Sequence, residues 1–415
     1  MNPSPTDARP WPALLLLSIL VLLPLGRSAE VPLVLAAGAT LVLLVRSRLA
    51  LDAPAARLVL ALFACYWLAA LVSAPGAVAP AKSWSTVATT LRFLPFALFA
   101  AWALRDAARW AGILVAIGAV VALWALDAWV QAATGYSLGG AAEKERVSGI
   151  FGAGNLKLGP VLAVLSPFAL LAARARFGLR GLLLAFALLA APILLAGSRA
   201  AWLSFALVCL LLAWHETREP RRFAAAVAVL ALGVAALAAL AWHDSSRFGA
   251  RIERSLRALQ GTEAALDDAS AGRLSIWRTA LAMGAAHPVT GVGVRGFRYA
   301  YPDYAAPGDR FVDTASDTGA SHAHQIMLEV LSETGIVGLL LWIAGCAFAL
   351  RAWKRADARA RERARAPALA LVAMCFPLNT HLAFYSAWWG LLFWWLLALY
   401  CGALCARDAG VQENG

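Results

Sequence analysis

Residues 156–215 read LKLGPVLAVLSPFALLAARARFGLRGLLLAFALLAAPILLAGSRAAWLSFALVCLLLAWH. Three apolar runs, at about 156–174, 180–197 and 199–215, are separated by a basic, glycine-containing turn around Gly178 and by the short Gly197-Ser198-Arg199 link. Each run approaches the roughly 20 residues that an α-helix needs to cross a hydrocarbon core about 30 Å thick. A membrane β-barrel would instead show segments of about ten residues with alternating polarity. In lipid only a helix or a closed barrel satisfies every backbone N–H and C=O, so the stretch reads as three consecutive membrane helices.

The same texture covers most of the chain. Of its 415 residues, 61% are hydrophobic and 14% charged, and the mean hydropathy is +0.70. Soluble domains carry about 25% charged residues, so the composition excludes a soluble globular protein and predicts an all-α polytopic membrane protein. Twelve spans are expected, at about 11–26, 31–46, 57–74, 85–104, 110–133, 156–174, 180–197, 199–215, 223–242, 325–350, 366–384 and 386–406. Arg27 stands where a signal-peptide cleavage site would need a small residue, so the first span is read as retained. The chain divides into helices 1 to 9 over 1–242, a polar loop subdomain over 243–323, and helices 10 to 12 with a short tail over 324–415.

The formal charge of +12 is distributed in a way that explains it without nucleic acid. Arg46, Arg48 and Arg57, then Arg105 and Arg109, then Arg174, Arg176 and Arg180, then Arg218, Arg221 and Arg222, and finally the basic run from Arg351 to Arg365 all fall in alternate loops. That is the positive-inside pattern, and it puts both termini in the cytoplasm. The six cysteines, Cys65, Cys209, Cys346, Cys375, Cys401 and Cys405, lie inside apolar runs with no CxxC spacing. They read as small buried residues, with neither a disulfide framework nor a metal site.

On the opposite face stand cations that the same rule disfavours: Lys82, Lys144, Arg146, Lys157, Arg199, Arg247, Arg251, Arg254, Arg257, Arg273, Arg278, Arg295, Arg298 and Arg310. Arg92 lies within the fourth span, at a depth that costs a few kcal/mol unless the charge is paired or snorkels. Such placement suggests a counter-anion, and the planar guanidinium fork suits phosphate oxygens. Arg199 begins a helix after Gly197 and Ser198, where the helix dipole also favours an anion. In the long loop, RFGARIERSLRALQG (247–261) has helical rhythm, and AGRLSIWRTALAMGAAHPVTG (271–291) reads as a second helix stopped by Pro288. The stretch after it, rich in Gly, Pro and aromatics, reads as irregular.

The loop returns to the membrane through DTGASHAHQIMLEVLSETGIVGL, residues 317–339, with His322 and His324 at the boundary. Imidazoles there suit acid–base or anion-contact chemistry. Asp313, Asp317, Glu329 and Glu333 make no recognised metal pattern with them. Ser332, Gly335 and Gly338 form a small-residue ridge of the kind that packs against another membrane helix.

Four motifs now carry a resemblance: GIFGAGNLKLGPVLAVLSPFAL (149–170), LLAGSRAAWL (194–203), AGRLSIWRTALAMGAAHPVTGVGVRGF (271–297) and HAHQIMLEVLSETGIVGLLL (322–341). Together, in order, they resemble the O-antigen ligase and polymerase superfamily of bacterial envelope glycosyltransferases over about residues 149–345. His324 and Gln325, followed by Gly335 and Gly338, are similar to the signature of the ligases. The resemblance implies a multi-pass protein of the bacterial inner membrane. It implies transfer of glycan from undecaprenyl pyrophosphate to a sugar hydroxyl of lipid A-core on the periplasmic side, without metal or other cofactor.

On that reading Arg199 and Arg273 hold the pyrophosphate, with Arg295, Arg146 and Lys82 as further contacts. His324, or His322 in its place, takes the acceptor's proton; alternatively His324 bonds the diphosphate and the departing phosphate takes the proton. Direct displacement would invert the anomeric centre. An O-antigen polymerase, a protein O-oligosaccharyltransferase and, in a different class, a flippase for lipid-linked anions remain alternatives.

Overall fold

A computed structural model of the chain describes residues 10–142, 146–244, 267 and 270–407. It is helical almost throughout, the only strands described being a hairpin pairing Tyr136–Ser137 with Gly140–Ala141. The helices are α1 (Trp11–Leu22), α2 (Glu30–Val45), α3 (Pro54–Ser73), α4 (Pro80–Thr90), α5 (Phe93–Ala103), α6 (Trp110–Thr134), α7 (Leu158–Leu195), α8 (Arg199–Thr217), α9 (Pro220–Asp244), α10 (Arg273–Ala286), α11 (Phe297–Tyr304), α12 (Ile326–Arg355), α13 (Ala358–Met374) and α14 (Ala387–Cys405). The helical reading of 247–261, and the cations Lys144, Arg247, Arg251, Arg254 and Arg257, lie outside the described residues.

Among the described residues seven helices are long and apolar enough to cross a membrane, and α1 and α2 are shorter apolar helices. The expected twelve is not the count that length and apolarity return. Glycine is one reason. The expected spans 156–174 and 180–197 are the two arms of α7, which turns at Gly178 through φ 65° and ψ −152°. The arms lie side by side, because a Cβ on Gly159 in the first would stand 3.0 Å from Ala196 just past the end of the second. Two other expectations move. The fourth span runs from Pro80 to Ala103 as one crossing stretch, divided into α4 and α5 by a turn at Leu91–Arg92, and α13 runs 358–374 rather than 366–384, starting in the charged segment that follows α12. The irregular stretch after Pro288 contains a short helix, α11.

α14 is the hub of the bundle, with 83% of its apolar window buried inside the protein. Trp394 and Trp395 are fully enclosed; the first packs among Phe63, Tyr66, Phe93 and Phe393, and the Trp395 indole donates to the Leu16 carbonyl at 2.9 Å. Arg92, whose depth demanded a partner, has one: it holds both oxygens of Glu30 at 2.9 and 3.0 Å and stacks on Phe93. Burying its fork against a carboxylate and a ring removes the cost of the isolated charge.

The segment from Ser270 to Ala323 has its own small core of Ile276, Met283, Phe297 and Tyr301. It is fastened to the bundle by hydrogen bonds to the backbone of Val292 and Val294. Val78 N–H donates to the Val292 carbonyl at 2.9 Å, Ser83 Oγ donates to the Val294 carbonyl at 2.8 Å, and Val294 N–H donates to Ser73 Oγ at 3.1 Å.

The tightest join is at Gly335, which interrupts α12 with φ 64° and ψ −164°. This corrects the small-residue ridge: Gly335 meets the backbone of Val289 and Thr290 rather than a membrane helix, while a Cβ on Gly338 would reach Ala69 of α3 at 3.6 Å. A methyl on Gly335 would lie 2.2 Å from the Val289 carbonyl oxygen, and its backbone conformation is one that only glycine adopts readily. Gly335→Ala is therefore expected to lower stability by about 2 kcal/mol or more. Gly345→Ala, whose Cβ would meet Cys65 at 3.5 Å, should leave it unchanged or slightly raised. Thermal unfolding of the two variants in one detergent compares them, and equal midpoints would refute the clash.

Candidate active site

Where α12 begins, three separated parts of the chain meet. Gln325 caps the helix, its side-chain oxygen accepting the Leu328 N–H at 2.6 Å. This gives the residue beside His324 in the signature a structural task. His324 itself adopts a left-handed φ of 56°. Its Nδ1 lies 2.7 Å from the Thr380 carbonyl oxygen. A carbonyl can only accept, so the proton sits on Nδ1 and Nε2 presents a lone pair. The His322 ring is 3.8 Å from that of His324, centre to centre. His322 Nδ1 pairs with Ser321 Oγ at 2.9 Å, while its Nε2 is buried without a hydrogen-bond partner.

Charge tells which residues surround the rings. Burial, then the Arg273 guanidinium, pushes His324 down to about 3, with the Thr380 bond opposing and His381 adding to the fall. His322 is held well below its ordinary value by burial and by His324, Arg295, Arg273 and His381. Burial and then the charges of Arg273 and Arg146 hold His381 at about 4. Arg273 is lowered to about 10 by burial and by Arg199, which leaves it cationic at neutral pH. Arg199, Arg273, Arg295, Arg146, His322 and His324 thus share one electrostatic neighbourhood.

Each cation has a local reason for its position. Ser198 caps α8 by accepting the Ala201 N–H, with Arg199 as the first helical residue. Arg273 opens α10 after Gly272, whose φ is 79° and where any Cβ would strike Arg310 and Phe311. Arg295 has φ 60°, and its N–H donates to Glu333 Oε2 at 2.7 Å. Its Nη1 is buried with no partner. Lys82 joins Arg295 and Arg92 around a polar cavity of about 220 Å³ that Ser85, Thr86, Thr89, Tyr385 and Ser386 also line.

Four contributors escaped the sequence reading. His381 and the Thr380 carbonyl stand between α13 and α14, in residues that hydropathy assigns to the span 366–384; the signal was a histidine near the end of an apolar span. Glu329 and Glu333 were weighed only as metal ligands. They are fully buried struts: Glu329 Oε1 accepts the Phe384 N–H at 2.8 Å, and Glu333 takes that of Arg295. Among the described residues no three His, Cys, Asp or Glu side chains are grouped to hold a metal ion.

The fold and this site define a polytopic helical membrane protein with a buried cluster of imidazoles and guanidinium groups at one end of its bundle. Residues 183–343 match the family model described as O-antigen ligase. The matched stretch contains Arg199, Arg273, Arg295, His322 and His324. No curated protein matches the chain.

The depressed histidines carry a pH dependence. A group whose folded pKa is below its unfolded value binds fewer protons folded than unfolded, so stability falls as pH drops below the unfolded value of about 6.5, and the loss continues until the folded pKa is reached. Between pH 7 and pH 5 the protein should lose on the order of 1 kcal/mol for each such histidine. His381→Gln should flatten that slope in thermal unfolding; an unchanged slope would mean His381 is not buried as a neutral ring.

Proposed function

We propose that the chain is an O-antigen ligase, transferring glycan from undecaprenyl pyrophosphate to a sugar hydroxyl of lipid A-core at the periplasmic face of the bacterial inner membrane. Both termini are then cytoplasmic, as the loop arginines indicate. The observation that carries the reading is the gathering of Arg199, Arg273 and His324, from three distant parts of the chain, at one end of the bundle within the matched domain.

Breaking the glycosyl–phosphate bond moves an electron pair onto the pyrophosphate oxygen. Fixed guanidinium groups stabilise that developing charge without reorganising. The acceptor oxygen attacks the anomeric carbon from the opposite side, the bond to undecaprenyl pyrophosphate breaks, and the hydroxyl proton goes to His324 Nε2. A ring held near 3 is a weak base while the site is empty. A bound pyrophosphate places negative charge beside Arg273, offsets the field that depresses the ring, and raises its basicity during turnover. His322, Arg295, Arg146 and Lys82 provide further donors to the donor's phosphates and the first sugars.

The test is purified protein with undecaprenyl-pyrophosphate glycan and a set of acceptors, scored by which acceptor gains mass. Lipid A-core should; a gain on a second lipid-linked glycan would make the chain a polymerase, and flux without transfer a flippase. His324→Ala should lower transfer by about 10²–10⁴-fold, and Arg199→Ala and Arg273→Ala by about 10²–10³-fold, with each protein still folded in the membrane. Arg199→Lys should recover little, since the ammonium loses the fork. The product should have inverted anomeric configuration, and a retained configuration would exclude direct displacement.

A further inference from the structure

A second feature lies at the end of the bundle away from His324. After Gly335, α12 leans on α3, whereas α13, which follows across a link of two residues, packs on α14, α7 and α8. The two consecutive helices splay apart and leave a cleft of about 1070 Å³. Its α12 wall runs from Gly338 to Trp353 through Leu341, Trp342, Cys346 and Ala349. Fifteen steps along a helix span roughly 22 Å, more than the roughly 15 Å of hydrocarbon in one leaflet. Only 11% of the apolar window of α12 is buried inside the protein, against 83% for α14. Most of this apolar surface is left for something other than this chain to cover.

The rim at the Trp353 end names the occupant's chemistry. His215, Arg218, Arg361 and Arg365 line it, with Glu362 as the one carboxylate. Glu362 is taken by Arg365. Among the described residues Arg218 and Arg361 make no ion pair, and Arg218 stands exposed just past the end of α8 with a left-handed φ of 48°. An apolar cleft with surplus guanidinium groups at its mouth fits an amphiphile with an anionic head. We infer that the cleft between α12, α13 and α8 binds an anionic glycerophospholipid, its acyl chains against Trp342 and Cys346 and its phosphate on Arg218 and Arg361. The cations at this end distinguish that occupant from a zwitterionic lipid, which would leave the excess charge unmatched. They also distinguish it from a polyprenyl phosphate headed at Arg295, which would place its phosphate at the other end.

The protein is reconstituted in phosphatidylcholine nanodiscs containing a minor fraction of phosphatidylglycerol with a diazirine in its acyl chain, and irradiated. Cross-links should map to 341–353 and to α13, exceed those from the matching phosphatidylcholine probe, and fall by roughly fivefold or more in Arg218→Ala/Arg361→Ala. The Arg218→Lys/Arg361→Lys pair should retain most labelling. Alkylation of Cys346 by N-ethylmaleimide should slow when phosphatidylglycerol is added to wild type, and not in the alanine pair. Equal labelling by the two probes, labelling unchanged in a folded alanine pair, or displacement by undecaprenyl phosphate but not by phosphatidylglycerol would each overturn the assignment.

Discussion

The break in α12 at Gly335 organises the site. A helix interrupted there loses the carbonyl partners of the next residues, and buried backbone groups must find others. The Ile336 and Val337 N–H groups donate to the carbonyls of Pro288 and Val289 at 2.8 and 3.3 Å, and the Ser332 carbonyl accepts the Val292 N–H at 2.9 Å. The segment after α10 is thereby bound to the helix as closely as a paired strand. Arg295 ends that segment, and His324 precedes the arm of α12 that the break creates. One glycine conformation therefore relates the cation and the imidazole, and the carboxyls of that arm extend the bracing to Phe384 and the link containing Thr380 and His381.

This bracing holds a site with hydrogen-bonding capacity left over. Arg295 Nη1, His322 Nε2, Glu329 Oε2 and Glu333 Oε1 are all buried without partners. Interiors rarely tolerate so many together, because each unmet group carries a desolvation penalty of about 1–3 kcal/mol. The histidines limit the electrostatic part of that penalty by staying neutral, as their low values show. The arginines cannot shed their protons, and so the site keeps a positive field without adding charge on its rings.

Much of this was legible in the chain. Apolar runs near twenty residues long dictate helices because a closed barrel, the other structure that satisfies the backbone in lipid, would need short alternating segments, and His322, His324, Arg199 and Arg273 announce themselves by standing against that background. The errors have physical causes. Gly178 and Gly335 redirect helices through conformations that hydropathy does not register. In 358–374 the charged turns RARERARA continue a helix whose other face is buried, so apolarity alone misplaces its start. Glu329 and Glu333 sit i, i+4 on a buried face, but their partners are backbone N–H groups from remote loops, which no local pattern reveals. His381 depends on the same kind of long-range closure.

The choice of guanidinium over ammonium follows from the crowding. Burial beside Arg199 lowers Arg273 from 12.5 to about 10, which costs it no charge at neutral pH. A lysine, starting near 10.4, would under the same depression reach about 8 and begin to lose its proton, and a bound anion would have to restore what the arginine keeps permanently. Lys82 lines the polar cavity from an exposed position on α4. Where two cations are pressed together in a buried setting, the group with the higher intrinsic basicity is the one that keeps its charge.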